Sequence, residues 1–202
     1  CVGRAIAAYE RSAEVSPFTS KYDYWQNGEA TLTGQEQTGR ELFMGKAKCA
    51  NCHVPPNFTD FTYDNLGVPR NPLNPFYNEP AWNPAGAAWV DTGLGGFLQT
   101  TGYSYAAAAA WGKHKVPTLR NVDKRPYPGF IKAYGHNGYF KSLEQIVHFY
   151  NTRDVPGAGW PQPEVAINMN TAEMGNLGLN HGEERAIVAF LSTLSDGYMP
   201  GK

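Results

Sequence analysis

The sequence predicts a mostly α domain with long irregular loops, and three observations carry that expectation. In three places Ser, Thr or Asn stands three residues ahead of Glu or Gln and opens a run of apolar residues at helical spacing. The chain holds 22 Gly and 15 Pro among 202 residues, a share that forces much of it into loops. Between Val54 and Tyr105 the helical pattern dissolves into Pro, Gly and Asn. Loops bury little apolar surface, so a modest core in such a chain calls for something besides side chains to fill it.

The elements follow in order. Residues 1–14 read as a helix with Val2, Ile6, Tyr9 and Ala13 on one stripe, and Ser16 to Asn27 as a polar, aromatic linker. Thr33 with Glu36 starts a helix that runs through Leu42 and Phe43 to about Gly45. Val54 to Tyr105 reads as a long wrapped loop with short turns, and Ala106 to Trp111 as a helical turn. Ser142 with Gln145 caps a helix from Leu143 to about Asn151, after which Val155 to Pro163 is loop. Asn180 with Glu183 opens a last helix that turns Ile187, Phe190, Leu191 and Leu194 inward and ends before Gly197.

Composition excludes some partners. A formal net charge of −1 gives no reason to expect nucleic acid or an anionic membrane surface. The longest Ala run, Ala106 to Ala110, is far too short for a transmembrane span. No signal peptide is visible, so the sequence reads as a mature or trimmed chain. Three cysteines do not make a disulfide scaffold. Two of them share one motif, which leaves Cys1 as an inert thiol, a trace of a missing segment or a lipid-modified residue, the first two readings being preferred.

That motif is Cys49-Ala50-Asn51-Cys52-His53, directly after the second predicted helix. In C-x-x-C-H the two thiols add to haem vinyl groups and the adjacent His supplies an axial nitrogen to iron. The spacing is chemical, because the two thioethers pin the macrocycle so that the next residue lies under the metal. Zinc would want two more ligands at close spacing, and there is no second Cys pair. A thioredoxin-type pair would sit in a βαβ context, which is absent. One covalent haem c on Cys49, Cys52 and His53 is therefore expected.

The sixth iron ligand has several candidates. At about 100° per residue, Leu143, Ile146, Val147 and Tyr150 share one helix face while His148 projects nearly opposite, toward solvent. Tyr150 thus points into the core, as a ligand or as an ordinary buried aromatic. Met169 and Met174 lie in the loop before the last helix, as ligands or as core filling. His114 and His181 read as surface or capping residues.

Several blocks of sequence now become legible together. Ala5 to Arg11 with Ser16-Pro17-Phe18, Gly39-Arg40-Glu41-Leu42-Phe43, Phe58-Thr59-Asp60-Phe61, Asn65-Leu66-Gly67-Val68-Pro69 and Lys115-Val116-Pro117-Thr118-Leu119-Arg120-Asn121-Val122 stand in this order. His136-Asn137-Gly138, Ser142-Leu143-Glu144 and Phe149-Tyr150-Asn151 follow. The series resembles the C-terminal haem domain of the bacterial dihaem cytochrome c peroxidase family, including its MauG-like branch, over nearly the whole chain. The resemblance implies a class I cytochrome c-like haem domain over residues 31–202, preceded by an interdomain helix and linker over 1–30. It also implies a distal ligand fourteen residues after His136, which is Tyr150, where the peroxidase branch has Met and the MauG-like branch Tyr. The segment from Asn121 to His136 and that from Asn151 to Asn176 are longer than the common family form. The first bears on the family's interdomain calcium, and the second brings in both loop Met residues.

The family has two haem motifs and this chain has one. The resemblance therefore implies an electron-transfer domain that relays electrons to or from a peroxidatic haem outside this chain. That haem would sit on an N-terminal domain or a second subunit, with a small redox protein as donor. Arg120 is then expected at a haem propionate or the interdomain contact, with a surface ion pair as the plain alternative. His136 is expected near the interface or simply in a turn. A MauG-like oxidant would draw electrons from a protein substrate through Trp82, Trp89, Trp111 or Trp160. The remaining reading is a stand-alone monohaem electron carrier. Covalent haem attachment takes place outside the cytoplasmic membrane, so the periplasm is the expected compartment.

Overall fold

The computed structural model describes residues 1–201. Seven α-helices are joined by irregular chain: α1 (Val2–Glu10), α2 (Lys21–Gln26), α3 (Gly34–Met44), α4 (Gly93–Gln99), α5 (Ala107–Ala110), α6 (Leu143–Thr152) and α7 (His181–Ser192). The two short strands β1 (Tyr63–Asp64) and β2 (His114–Lys115) pair antiparallel, Tyr63 opposite Lys115. None of these helices is long and apolar enough to cross a membrane.

The three long predicted helices begin at their caps. Thr33 Oγ1 accepts from the Glu36 amide and Glu36 Oε2 accepts from the Thr33 amide at 2.7 Å, so two orphan donors of α3 are satisfied reciprocally. Asn180 and Glu183 do the same for α7. At α6 Ser142 Oγ accepts from the Gln145 amide, while Gln145 Oε1 accepts from the Lys141 amide instead of closing the box.

The core forms where α3 crosses α7. A Cβ on Gly39 would stand 1.9 Å from the Ala186 carbonyl oxygen, so only glycine lets the two backbones approach this closely. Below that crossing Phe43, Phe58, Tyr22 and Phe190 meet edge to face, with Phe43 and Phe190 centroids 5.2 Å apart and Tyr22 and Phe58 5.1 Å apart.

Three expectations need correction. The first helix stops at Glu10, not residue 14, and its stripe of Val2, Ile6 and Tyr9 is exposed instead of packed. The segment read as linker contains α2, opened by a capping box between Ser20 and Asp23, and its Tyr22 is buried in the core just described. The wrapped segment 54–105 holds β1, α4 and several 3-10 turns, where only short turns were expected.

Buried asparagines give that wrapped segment its shape. Asn65 Nδ2 donates to the carbonyls of Val165 and Ile167, Asn71 to that of Asn137, and Asn137 to that of Pro69. Buried backbone without a ladder still needs partners, and side-chain amides supply them.

Candidate functional site

α3 ends at Gly45, and the left-handed backbone of Lys48 redirects the chain into the 3-10 turn Cys49–Asn51. The His53 amide then donates to the Cys49 carbonyl at 2.9 Å, which sets both thiols and the imidazole on one tight coil of chain. His53 Nδ1 lies 2.9 Å from the Phe58 carbonyl oxygen. A carbonyl only accepts, so Nδ1 carries the proton and Nε2 keeps its lone pair for a metal. Burial pushes the His53 pKa down, which keeps the ring neutral.

Cys49, Cys52 and His53 line a cavity of about 580 Å3. Its wall is chiefly apolar, with Phe43, Val116, Phe140 and Leu191 among the contributors. Burial pushes the Cys49 thiol up to about 12 and the Cys52 thiol up to about 11, the latter helped by Glu173 and Asp64. Both are thus neutral thiols in this cavity. An apolar slot, two thiols with two residues between them and an imidazole whose Nε2 keeps its lone pair together fit a covalent haem c.

Leu143, Ile146, Val147 and Tyr150 all line this cavity from α6. Burial raises the Tyr150 phenol far above its ordinary pKa, and Cys49, Cys52 and Asp64 raise it further against the pull of Arg153. The Tyr150 proton therefore stays on until a cation arrives to replace it. Met174 is buried in the same cavity, whereas Met169 is not among its lining residues and pairs through its backbone with Asn65. His148 lies off the cavity, as its helix face requires, but is only half-exposed because Nδ1 meets Glu184 Oε1 at 2.9 Å.

Arg120 also lines the cavity. Its Nη1 contacts both Asp23 carboxylate oxygens, at 2.7 and 2.8 Å, and its Nε donates to the Pro56 carbonyl. The ion pair is thus buried, not a surface pair. It ties the 116–122 segment to α2, and Nη2 has no protein partner among the described residues. Of the four tryptophans singled out from the sequence, Trp82 is exposed and Trp89 packs edge-on against Phe76. Trp160 packs on Phe149 at 5.1 Å and donates to Thr152 Oγ1.

Sequence reasoning missed one constellation. His114, read as a surface residue, stacks face to face on His136, with ring centroids 3.7 Å apart and planes 6° apart. Both rings line the cavity, and Asp91 and Glu164 stand beside them. Four residues from four distant segments leave no local spacing to read.

No family model matches the sequence. The chain is 38% identical to the methylamine utilization protein MauG of Paracoccus denitrificans (strain Pd 1222) over 95% of its own length and 50% of the relative's. It is 31% identical to the cytochrome-c peroxidase IdrP1 of Denitromonas iodatirespirans, over 95% of the chain and 48% of the relative. Among solved structures it is similar to the diheme peroxidase BthA of Burkholderia thailandensis E264, with a TM-score of 0.74 and 29% identity over 96% of this chain and 50% of that one. The chain spans about half the length of the curated relatives it matches.

Proposed function

The chain belongs to the MauG-like dihaem peroxidase family, and from that premise we propose that it is the electron-relay haem domain of such a protein. It carries one haem c in a class I cytochrome c-like setting and passes electrons to or from a peroxidatic haem on another domain or subunit. The observation that carries this reading is the convergence of Cys49, Cys52, His53 and Tyr150 on one apolar cavity.

A haem c bound there supplies an iron that takes up and releases one electron at a time. Cys49 and Cys52 would hold the macrocycle through two thioethers. His53 would offer Nε2 to the metal, while its Nδ1–H on the Phe58 carbonyl fixes the ring orientation. Tyr150, which lines the same cavity, would give up its phenol proton to the iron and offer it a hard anionic oxygen, which would favour the ferric state and a low potential. Arg120, anchored through Nη1 by Asp23, would offer its remaining Nη2 donors to a propionate. Apolar residues around the cavity exclude water and keep this site an electron carrier instead of a peroxide-binding iron. The periplasm is the compartment consistent with covalent attachment, and a small redox protein is the donor.

Met174 supports a second assignment of the distal ligand, because it is buried in the same cavity. A thioether there would raise the potential.

Intact mass and the reduced pyridine spectrum of the purified chain test the reading. The expected result is a mass above that of the polypeptide by one haem, with no peroxide turnover by the chain alone. An unmodified, colourless chain refutes haem attachment. Absence of an upstream Cys-x-x-Cys-His in the gene and in any partner would favour the stand-alone carrier instead.

A further inference from the structure

We propose that Asp91, His114 and His136 form a second, non-haem site for a divalent ion of the zinc class, with Glu164 orienting it from behind. It shares no residue with the iron ligands assigned above, and its test does not depend on which residue takes the sixth position on iron. One donor atom from each of Asp91, His114 and His136 lies within 4.8 Å of the other two. The three residues come from the turn before α4, from β2 and from the loop before α6, so only the tertiary fold gathers them.

The carboxylate behind the histidine is the strongest feature. The Glu164 side chain is 1% exposed, and its Oε2 lies 3.3 Å from His136 Nε2 and accepts from Asn137 Nδ2 at 3.0 Å. With Oε2 already accepting from Asn137, it accepts from His136 Nε2 as well, which leaves Nδ1 with its lone pair. A buried carboxylate fixing the tautomer of an imidazole is the usual outer support of a histidine–metal bond.

The other two ligands are equally prepared. Asp91 Oδ1 accepts from the Gly93 amide, and Oδ2 has no hydrogen-bond partner among the described residues. A Cβ at Gly93 would stand 2.3 Å from the Lys113 carbonyl and 3.2 Å from His114 Cε1, so this turn is shaped to bring Asp91 against β2. Neither ring nitrogen of His114 has a hydrogen-bond partner among the described residues, although the ring is sandwiched against His136. Closing on one ion turns the His114 ring about its last torsion, which is broad and nearly two-fold. Two imidazoles and a carboxylate suit zinc and similar ions, and three protein ligands leave a fourth position open to water or an incoming donor.

Calorimetric titration of Zn2+ into the haem-loaded chain tests the site, with X-ray absorption at the zinc edge to count imidazoles. One zinc per chain is expected, with two imidazole ligands. Asp91→Asn and His114→Asn weaken it by more than about 100-fold, and Glu164→Gln, which spares all three ligands, by about 10–100-fold. The haem spectrum of each variant reports whether the fold has survived. No one-to-one binding by the wild-type chain overturns the proposal, as does undiminished binding by Asp91→Asn. Binding abolished by His181→Asn would place the zinc at the start of α7 beside His148, and that result also overturns it.

Discussion

In α3, α6 and α7 most buried contacts are apolar side chain against side chain, Asn151 on the Leu179 backbone being an exception, whereas between residues 54 and 141 many are side-chain amide against backbone. Phe43, Val147, Ile187 and Phe190 pack at helical spacing, while Asn65, Asn71 and Asn137 hold loops by named hydrogen bonds. Dispersion and burial are tolerant of detail, but a hydrogen-bonded loop has one geometry or none. The difference divides the labour: the helices give the cavity its volume, and the chain between residues 54 and 141 aims polar groups such as Arg120, His114 and His136 at it.

Breaking the helical half should cost most. Phe190→Ala removes the ring on which Tyr22 and Phe43 converge and should destabilise by about 3–5 kcal/mol in urea unfolding. Trp82→Ala, on the wrapped segment and 80% exposed, should stay within about 0.5 kcal/mol. Equal losses would erase the distinction.

The tie between the halves comes next. Asp23→Asn leaves the Arg120 guanidinium without its charge partner at a site where both side chains are about nine-tenths buried, and should cost about 3 kcal/mol. Restoring stability with the paired change Arg120→Met would show that the loss is the uncompensated charge.

Within the wrapped half, Asn65→Ala orphans the Val165 and Ile167 carbonyls and the Gly67 amide, with an expected loss of about 1–3 kcal/mol. Hydrogen exchange should quicken at Gly67 while α3 and α7 keep their protection. Uniform quickening would mean that the two halves unfold as one.

The smallest effect is a pH dependence. Burial acts to raise the Glu184 pKa, but hydrogen bonds from His148 and Asn151 more than offset it and hold the carboxyl below its ordinary range. A carboxyl depressed in the folded state adds stability above its unfolded pKa of about 4.3, and that share disappears as pH falls through the lower folded value. Glu184→Gln should therefore flatten the acid limb of a stability–pH profile and leave its neutral shape alone.

The same division decides what the sequence discloses. Capping pairs at Thr33, Ser142 and Asn180 mark α3, α6 and α7, because local chemistry and packing agree there. The spacing of Cys49, Cys52 and His53 is local and so is readable from the chain. α2 escaped because six residues are too few to show a period, although Ser20 and Asp23 carry its cap. α4 escaped because Gly93, Gly95 and Gly96 argue against a helix, and tertiary packing overrides that propensity. Asp91, His114, His136 and Glu164 meet only through the fold.

The proposed potential and spin state of the iron depend on Tyr150, which lines the same cavity as His53, serving as its second protein ligand. Low-temperature EPR of the ferric protein, read with its near-infrared spectrum in the wild type and in Tyr150→Phe, tests this directly. The wild type should be low-spin without a Met–iron charge-transfer band, and the variant should become high-spin at an open sixth position. A low-spin signal unchanged by the substitution, or a Met band in the wild type, would contradict the assignment and give the position to Met174.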